Sequence, residues 1–344
     1  MNSPARRLVC MALLCCVPLP SASFGAEVIL APATTQWKIN DVTENKDLSG
    51  IACMKIGAFQ RCIIAIDEGS SASIARMEGT EIRQERLVPL LPTTGDPELD
   101  AEGAAYDPET KFFYVVGSHG RKRHCCESNS SAFNLIRFQL NGSENLPESP
   151  VLEKPEISKP LEPALKSSDK VGPHVGLCLG TKPTEKQKKK GCEVERRQGA
   201  NIEGIAIYQQ KLYIGLRGPV HGRTAYLMRF DADGVFSNDE AGATIEVTLG
   251  SPDESGFGVR DLAAVKTGLL ILSGPEDDEP GQAALFHLDP EKDVLTPLGK
   301  ISGLAAEAKP EGLLVLEDSD QQYRVLIISD GVKNGTPAEY VIRK

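Results

Sequence analysis

Three glutamates, one arginine and one serine occupy the same place in a short motif that recurs five times along the chain. They are Glu102, Glu203, Glu311, Arg260 and Ser49, and each directly precedes a Gly or Asp that begins a small, apolar stretch. Carboxylates that converge on one axis repel each other unless a cation lies among them. The pattern therefore predicts either an ion network centred on Arg260 or a divalent cation, such as calcium, bound by Glu102, Glu203 and Glu311.

A second group of polar residues follows the second apolar run of each repeat. It contains Asp67, Glu68, His119, Arg217 and Asp330. Carboxylate oxygens bind hard cations, and the fork of Arg217 could hold an anionic substrate. If a metal is bound there, a metal-activated water would hydrolyse a phosphoester or a lactone. The sequence singles out no catalytic base.

The recurring motif, a small acidic turn followed by an apolar strand, predicts a repeat architecture. Its equivalent positions are 53, 101, 57 and 51 residues apart, at Gly50, Gly103, Gly204, Asp261 and Gly312. A four-stranded propeller blade repeats every ~40 to 50 residues. The spacing therefore predicts an all-β fold, a single β-propeller with five blades, or six if residues 141–200 contain a divergent blade. The first strand of each blade would line the central channel and bring the motif residues together.

The two ends of the chain predict how the ring closes. Only three strands follow the last motif, whereas the segment 28–40 precedes the first motif and belongs to no complete repeat. We expect this N-terminal segment to supply the fourth strand of the last blade. Closure of this kind removes exposed strand edges.

The first 25 residues do not fit the repeat. Arg6 and Arg7 precede the apolar stretch 8–19, and small residues follow, as in a secretory signal peptide. The stretch is shorter than the roughly 20 residues that span a bilayer, which favours cleavage over a membrane anchor. We expect a signal peptide at 1–25 and a periplasmic or secreted propeller domain at 26–344, with no transmembrane segment. Within this domain, the Cys- and Lys-rich residues at about 141–200 are predicted to be a surface insertion.

Cysteine usage agrees with export, because six cysteines remain after the signal peptide. Cys53 and Cys62 lie on consecutive predicted strands, so we expect a disulfide across that hairpin. Cys125 and Cys126 are adjacent and are each expected to pair with Cys178 or Cys192. Zinc binding by these cysteines is the alternative, since three histidines lie near them in sequence, namely His119, His124 and His174. The spacings, however, match no common zinc motif.

Charge restricts the partners. Without residues 1–25 the chain carries 36 basic and 48 acidic residues, a net charge of −12, which disfavours nucleic-acid binding. The lysine-rich stretch 182–197 is best explained as a solvated loop. A small-molecule or anionic ligand is the expected partner.

Four segments carry a resemblance to a known family. They are 201–206, 212–220, 260–263 and 270–275, of which the Gly-Leu-Arg-Gly-Pro stretch is the most specific. Over roughly residues 45–335 the chain resembles the bacterial DUF3616 domain family, which implies an architecture and no reaction. The Glu-Gly units also resemble phytase-like and esterase-like propellers. That resemblance implies metal-facing positions at Glu102, Glu203 and Glu311, whereas Ser49 and Arg260 depart from its pattern.

Two hypotheses about function follow from different classes. The first is an exported propeller that binds a small ligand or partner at the polar mouth of its channel. The second is a metal-dependent hydrolase of phosphoesters or lactones. The sequence lacks a Gly-x-Ser-x-Gly elbow, a phosphate-binding loop, a His-Glu-x-x-His motif and a dinucleotide fingerprint.

Overall fold

The computed structural model describes residues 28–40, 47–91, 98–123, 125–140, 152–181, 188–189, 195–237, 242–250, 254–277 and 282–344. The predicted signal peptide, His124 and Cys192 lie outside these residues. Strands are numbered along the chain. The N-terminal segment carries two short strands, β1 (Ile29–Leu30) and β2 (Lys38–Asn40).

Five antiparallel sheets follow in chain order, one for each motif, so the predicted five-bladed propeller is confirmed. Blade one comprises β3 (Leu48–Ile56), β4 (Phe59–Ile66), β5 (Ser71–Glu78) and β6 (Glu81–Pro89). Blade two comprises β7 (Ala101–Tyr106), β8 (Phe113–Gly117), β9 (Leu135–Leu140) and β10 (Leu152–Ile157). Blade three comprises β11 (Asn201–Tyr208), β12 (Lys211–Gly218), β13 (Thr224–Asp231) and β14 (Ala243–Thr248). Blade four comprises β15 (Phe257–Val265), β16 (Gly268–Pro275), β17 (Ala284–Asp289) and β18 (Val294–Ile301), and blade five comprises β19 (Lys309–Asp318), β20 (Gln322–Asp330) and β21 (Ala338–Arg343).

The first strand of every blade lies innermost. These strands contact one another in the order β3, β7, β11, β15, β19 and back to β3, which closes the ring. Five apolar clusters fill the spaces between neighbouring blades, one at each interface. Each blade therefore buries its faces against its neighbours, as a repeat architecture requires.

The motif glycines allow the inner strands to approach closely. A Cβ atom on Gly50 would lie 2.8 Å from the backbone nitrogen of Ala104 in blade two, and one on Gly103 would lie 2.8 Å from the carbonyl oxygen of Glu203. Contacts this short exclude a side chain. Blade four has Asp261 at this position, and its carboxylate accepts a hydrogen bond of 2.6 Å from the amide of Leu313 in blade five.

The position of the N-terminal segment differs from the predicted one. It does not form the fourth strand of blade five, which has three described strands. Instead β1 pairs in parallel with β18 of blade four, and β2 pairs in parallel with β6 of blade one. Between them the segment crosses blade five with a backbone hydrogen bond from Ala33 to Glu339. Pro32 directly precedes Ala33 and has no amide hydrogen to extend a ladder.

Part of the stretch 141–200, which the sequence predicts to be a surface insertion, forms regular secondary structure that belongs to the propeller. Strand β10 forms the outer edge of blade two by pairing with β9. The helix α1 (Leu161–Ser167) then buries Leu161 and Leu165 in the cluster between blades two and three. Among the described residues, no helix has the length and apolarity needed to cross a membrane.

Candidate functional site

A β-bulge interrupts the inner strand of each blade at the motif residue. In blade two, Ala101 lies opposite Gly117 and Gly103 lies opposite Val116, which leaves Glu102 without a partner across the ladder. The same register shift occurs in the other four blades. A bulged residue leaves the ladder and its side chain is redirected. The bulged residues are Ser49, Glu102, Glu203, Arg260 and Glu311.

Arg260 bridges two of the carboxylates. Its Nη1 atom donates to Oε2 of Glu203 in blade three at 2.9 Å, and its Nη2 lies 2.9 Å from Oε1 of Glu311 in blade five. All three residues are buried. Arg260 is therefore the cation among these channel carboxylates, which is one of the two arrangements that the motif predicts.

Arg217 extends the ion network on the opposite side of Glu203. Its Nη1 donates to Oε1 of Glu203 at 2.6 Å, and Nε and Nη2 donate to the carbonyl oxygens of Glu276 and Asp277 at 2.9 and 3.0 Å. Asn201 also donates from Nδ2 to Oε1 of Glu203 at 3.1 Å. The guanidinium of Arg217 is thus directed at the protein's own acceptors.

Glu102 differs from the other motif glutamates. Among the described residues its carboxyl group has no hydrogen-bond or ion-pair partner, and it is half-buried. Burial raises the pKa of Glu102 well above its ordinary value, and the negative charges of Glu203, Asp100 and Asp67 raise it further. Glu102 therefore binds a proton more readily than an ordinary glutamate does.

A pocket of about 510 Å³ lies at the end of the channel above this network. Its wall contains eight acidic and five basic residues together with Leu179 and Asn201. The acidic residues are Asp67, Glu68, Glu98, Asp100, Glu102, Glu127, Glu311 and Asp330, and the basic residues are Arg121, Lys122, Arg123, Arg217 and Lys309. The volume lies within the range of small-ligand sites, about 300 to 1,000 Å³.

The pKa values of two further acids in the pocket are also raised. Burial raises the pKa of Asp67 well above its ordinary value, and the charges of Asp100 and Glu311 add to this effect. Burial also raises the pKa of Asp100 to about 6, although a hydrogen bond from Ser118 opposes the shift. Asp330, in contrast, pairs with Lys309 at 3.2 Å.

Two loops joined by a disulfide carry the basic side of the pocket. The Cys126–Cys178 bond connects the loop after β8 to the loop that contains Leu179. Arg121 donates to the carbonyl oxygen of Cys126 at 2.7 Å, and Lys122 pairs with Glu98. These loops therefore place Arg121, Lys122 and Leu179 in the pocket wall, together with the acidic residues.

The cysteines follow the expected pairing within the described residues. Cys53 and Cys62 are bonded across the β3–β4 hairpin, and Cys126 is bonded to Cys178, one of its two predicted partners. Cys125 is also in a disulfide. Bonded cysteines supply no thiolate, so Cys126 and Cys178 do not fit the zinc alternative.

His119 lies apart from the pocket wall. It is buried, its Nδ1 lies 3.0 Å from the carbonyl oxygen of Gly117, and its ring packs against Phe133 at 5.5 Å. Burial lowers its pKa to about 4, so the ring is neutral at pH 7. His174 packs instead against His221, with ring centroids 5.3 Å apart.

Six of the nine sequence-predicted site residues line the pocket, namely Asp67, Glu68, Glu102, Arg217, Glu311 and Asp330. Glu203 and Arg260 form the ion network beneath it, and His119 lies elsewhere. Within the described ranges, no group of three or more His, Cys, Asp or Glu residues is arranged to hold a metal ion. Of the three glutamates predicted to face a metal, Glu203 pairs with Arg217 and Arg260, Glu311 pairs with Arg260, and Glu102 pairs with no arginine among the described residues.

Sequence reasoning missed Asp100, Asn201 and the basic loop 121–123. Asp100 and Asn201 occupy the start of their motifs, two residues before the bulged glutamate, and this repetition is a signal that could have identified them. The basic loop carries no repeat signal. Its position depends on the disulfide between distant segments.

The fold and the pocket define a five-bladed β-propeller with a polar site at one end of its channel. The chain belongs to the family described as protein of unknown function (DUF3616), which matches residues 63–146 and 193–338. This confirms the resemblance carried by the Gly-Leu-Arg-Gly-Pro stretch and its neighbours. No curated protein matches the chain at a significant level.

Several solved structures are similar to this chain at low sequence identity. An α-L-arabinofuranosidase from Podospora anserina is 9% identical, with a TM-score of 0.43 over 92% of this chain and 96% of that chain. An exo-β-1,3-galactanase from Phanerochaete chrysosporium is 8% identical, with a TM-score of 0.48 over 91% of this chain and 63% of that chain. A periplasmic gluconolactonase from Pseudomonas aeruginosa is 11% identical, with a TM-score of 0.35 over 85% and 72%.

Proposed function

We propose that the chain is an exported β-propeller that binds a small polar ligand in the pocket at its channel mouth. One observation carries this proposal. The pocket of about 510 Å³ contains two carboxyl groups, those of Asp67 and Glu102, that have no hydrogen-bond partner among the described residues. Carboxyl groups that the protein leaves unpaired at a pocket wall are open to hydrogen bonds from a ligand.

Ion pairs and a disulfide fix the residues around the pocket, which supports a site prepared for binding. Beneath the pocket, Arg260, Glu203 and Glu311 satisfy one another in a fixed arrangement. The disulfide Cys126–Cys178 fixes the loops on the opposite side. A ligand that enters would therefore meet a rigid wall, which reduces the entropy cost of binding.

Export is part of the same proposal. The disulfides in the described chain favour an oxidising compartment. We propose cleavage after the signal peptide at 1–25, which leaves a propeller domain at 26–344 with an insertion within about 141–200. Mass spectrometry of the exported chain tests the cleavage, since an N-terminus at Phe24 or Ala26 is expected and an uncleaved chain would contradict it.

Thermal shift measurements test ligand binding. A ligand that binds only the folded state raises the melting temperature. We expect compounds from a small-molecule panel to raise the melting temperature of the wild type but not of Glu102→Gln. Glu153→Gln is the matched control, because Glu153 is exposed on β10 and lies outside the pocket. A panel that shifts wild type and Glu102→Gln equally would contradict the proposed site.

The alternative function is a metal-dependent hydrolase of phosphoesters or lactones. It needs a cation among the channel carboxylates, where Arg260 already provides the positive charge. We therefore derive no hydrolytic step from this site.

A further inference from the structure

We infer that His174 and His221 form a binding site for a late divalent transition metal such as zinc, outside the pocket. The two rings meet where the insertion lies against the turn between β12 and β13, with ring centroids 5.3 Å apart. Neither histidine lines the pocket. The inference therefore does not depend on the proposed ligand-binding function.

Each of the two rings is held through its Nδ1 atom. Nδ1 of His174 lies 2.9 Å from the carbonyl oxygen of Gln198, which can only accept, so this nitrogen carries the proton. Nδ1 of His221 lies 2.8 Å from the hydroxyl oxygen of Tyr226, which can accept a hydrogen bond in the same way. Histidines that bind a metal through Nε2 usually donate Nδ1–H to such a partner, which fixes the ring orientation and the tautomer.

The Nε2 atoms of both rings remain available. Within the described part of the chain, neither Nε2 atom has a hydrogen-bond partner. His221 is exposed and His174 is only partly buried, so an ion can reach the rings from solvent. An imidazole nitrogen with a free lone pair is a preferred ligand of zinc, copper and nickel.

The separation of the two rings suits one shared ion. Zinc binds imidazole nitrogen at about 2.0–2.1 Å in a tetrahedral arrangement, which separates the centroids of two bound rings by about 5 Å. The observed separation of 5.3 Å agrees with this spacing. The described residues supply two ligands at this point, so water would complete the coordination.

A bound metal would fasten the insertion to blade three. His174 belongs to the insertion and lies close in sequence to Cys178 and Leu179, whereas His221 follows β12. A metal that binds only the folded state stabilises that state. Zinc should therefore raise the melting temperature of the protein.

Isothermal titration calorimetry of the untagged, chelator-treated protein with zinc chloride tests the inference. Excess calcium is included because it occupies carboxylate sites and does not favour imidazole. We expect His174→Ala and His221→Ala each to weaken zinc binding by about tenfold or more, since loss of even a ligand's hydrogen-bond partner costs about 10–100-fold. His287→Ala is the matched control, because His287 stacks on Tyr323 between blades four and five, and it should leave zinc binding unchanged.

A further variant examines the partner of His221. Tyr226→Phe keeps the aromatic ring and removes the hydroxyl group, and it should weaken zinc binding by about tenfold. Circular dichroism of each metal-free variant checks that a loss of binding is not a loss of fold.

The outcomes decide the inference directly. A zinc-dependent rise in the melting temperature of the wild type that disappears in His174→Ala and His221→Ala would support the site. An absence of zinc binding by the wild type, or zinc binding that both alanine variants retain, would overturn it.

Discussion

Arg260 and Glu203 form an ion pair of 2.9 Å between neighbouring blades, with side chains that are only 2% and 1% exposed. Arg260 also pairs with Glu311 of the next blade at 2.9 Å. The arginine therefore joins blades three, four and five at the axis of the ring. Its neighbours depend on it, because a buried carboxylate without a cation is strongly destabilising.

Replacing Arg260 should therefore cost much of the protein's stability. We expect Arg260→Met to lower the free energy of unfolding by about 3–5 kcal/mol, since it leaves Glu203 and Glu311 without their shared cation. Urea denaturation measures the loss. The control is Arg197→Met, because Arg197 pairs with Glu195 at the surface, with side chains 57% and 73% exposed, and should cost less than about 1 kcal/mol. Equal losses in the two variants would contradict a stabilising network.

Glu276 should make stability depend on pH. It is 4% exposed, and burial raises its pKa from 4.5 to about 7. The folded state therefore binds the proton more tightly than the unfolded state. The resulting stabilisation is fully present below pH 4.5 and is lost as the pH rises to about 7.

The variant Glu276→Gln isolates this contribution, because the other acids titrate in both proteins. We expect its stability relative to the wild type to increase by up to about 3 kcal/mol between pH 4.5 and pH 7.5. Urea denaturation at the two pH values provides the comparison. Parallel pH profiles for the two proteins would show that Glu276 has an ordinary pKa.

The cysteines of the mature chain should be unreactive. Cys53, Cys62, Cys125, Cys126 and Cys178 are all in disulfides, and we propose that Cys192 completes the third bond. Thiol labelling of denatured, unreduced protein should therefore find no free cysteine, and labelling after reduction should find six. Two or more reactive thiols before reduction would contradict three disulfides.

Calcium should leave the melting temperature unchanged. Arg260 occupies the space among Glu203 and Glu311 that a cation would need, and a ligand raises the melting temperature only if it binds the folded state. Melting curves with calcium chloride and then with a chelator make this test. A calcium-dependent rise that the chelator reverses would support the metal-dependent hydrolase instead.

The sequence predicted the channel well because the motif is local and repeated. Gly50, Gly103 and their equivalents determine how closely the inner strands approach, and the residue before each one lies at the bulge. The Cys53–Cys62 bond was predictable for the same reason, since the two residues lie directly opposite each other in one hairpin. Such features depend on contacts between neighbouring segments.

The remaining features depend on distant contacts or on exposed strands. Strand β10 was missed because an outer strand is largely exposed and needs no apolar pattern. The loop that contains Arg121 and Lys122 reaches the pocket through a disulfide to Cys178, 52 residues from Cys126. The unequal roles of Glu102 and Glu203 were also hidden, because the two motifs have the same form and only their partners differ.

We propose that the channel glutamates divide into an ion-paired group, Glu203 and Glu311, and the unpaired Glu102, which belongs to a ligand pocket. The melting temperatures of Glu203→Gln and Glu102→Gln without ligand test this most directly. We expect Glu203→Gln to melt several degrees lower, because Arg217 and Arg260 lose their shared carboxylate. Glu102→Gln should melt at or above the wild-type temperature, because it removes a carboxyl group whose pKa burial has raised. A comparable fall in both variants would contradict the claim.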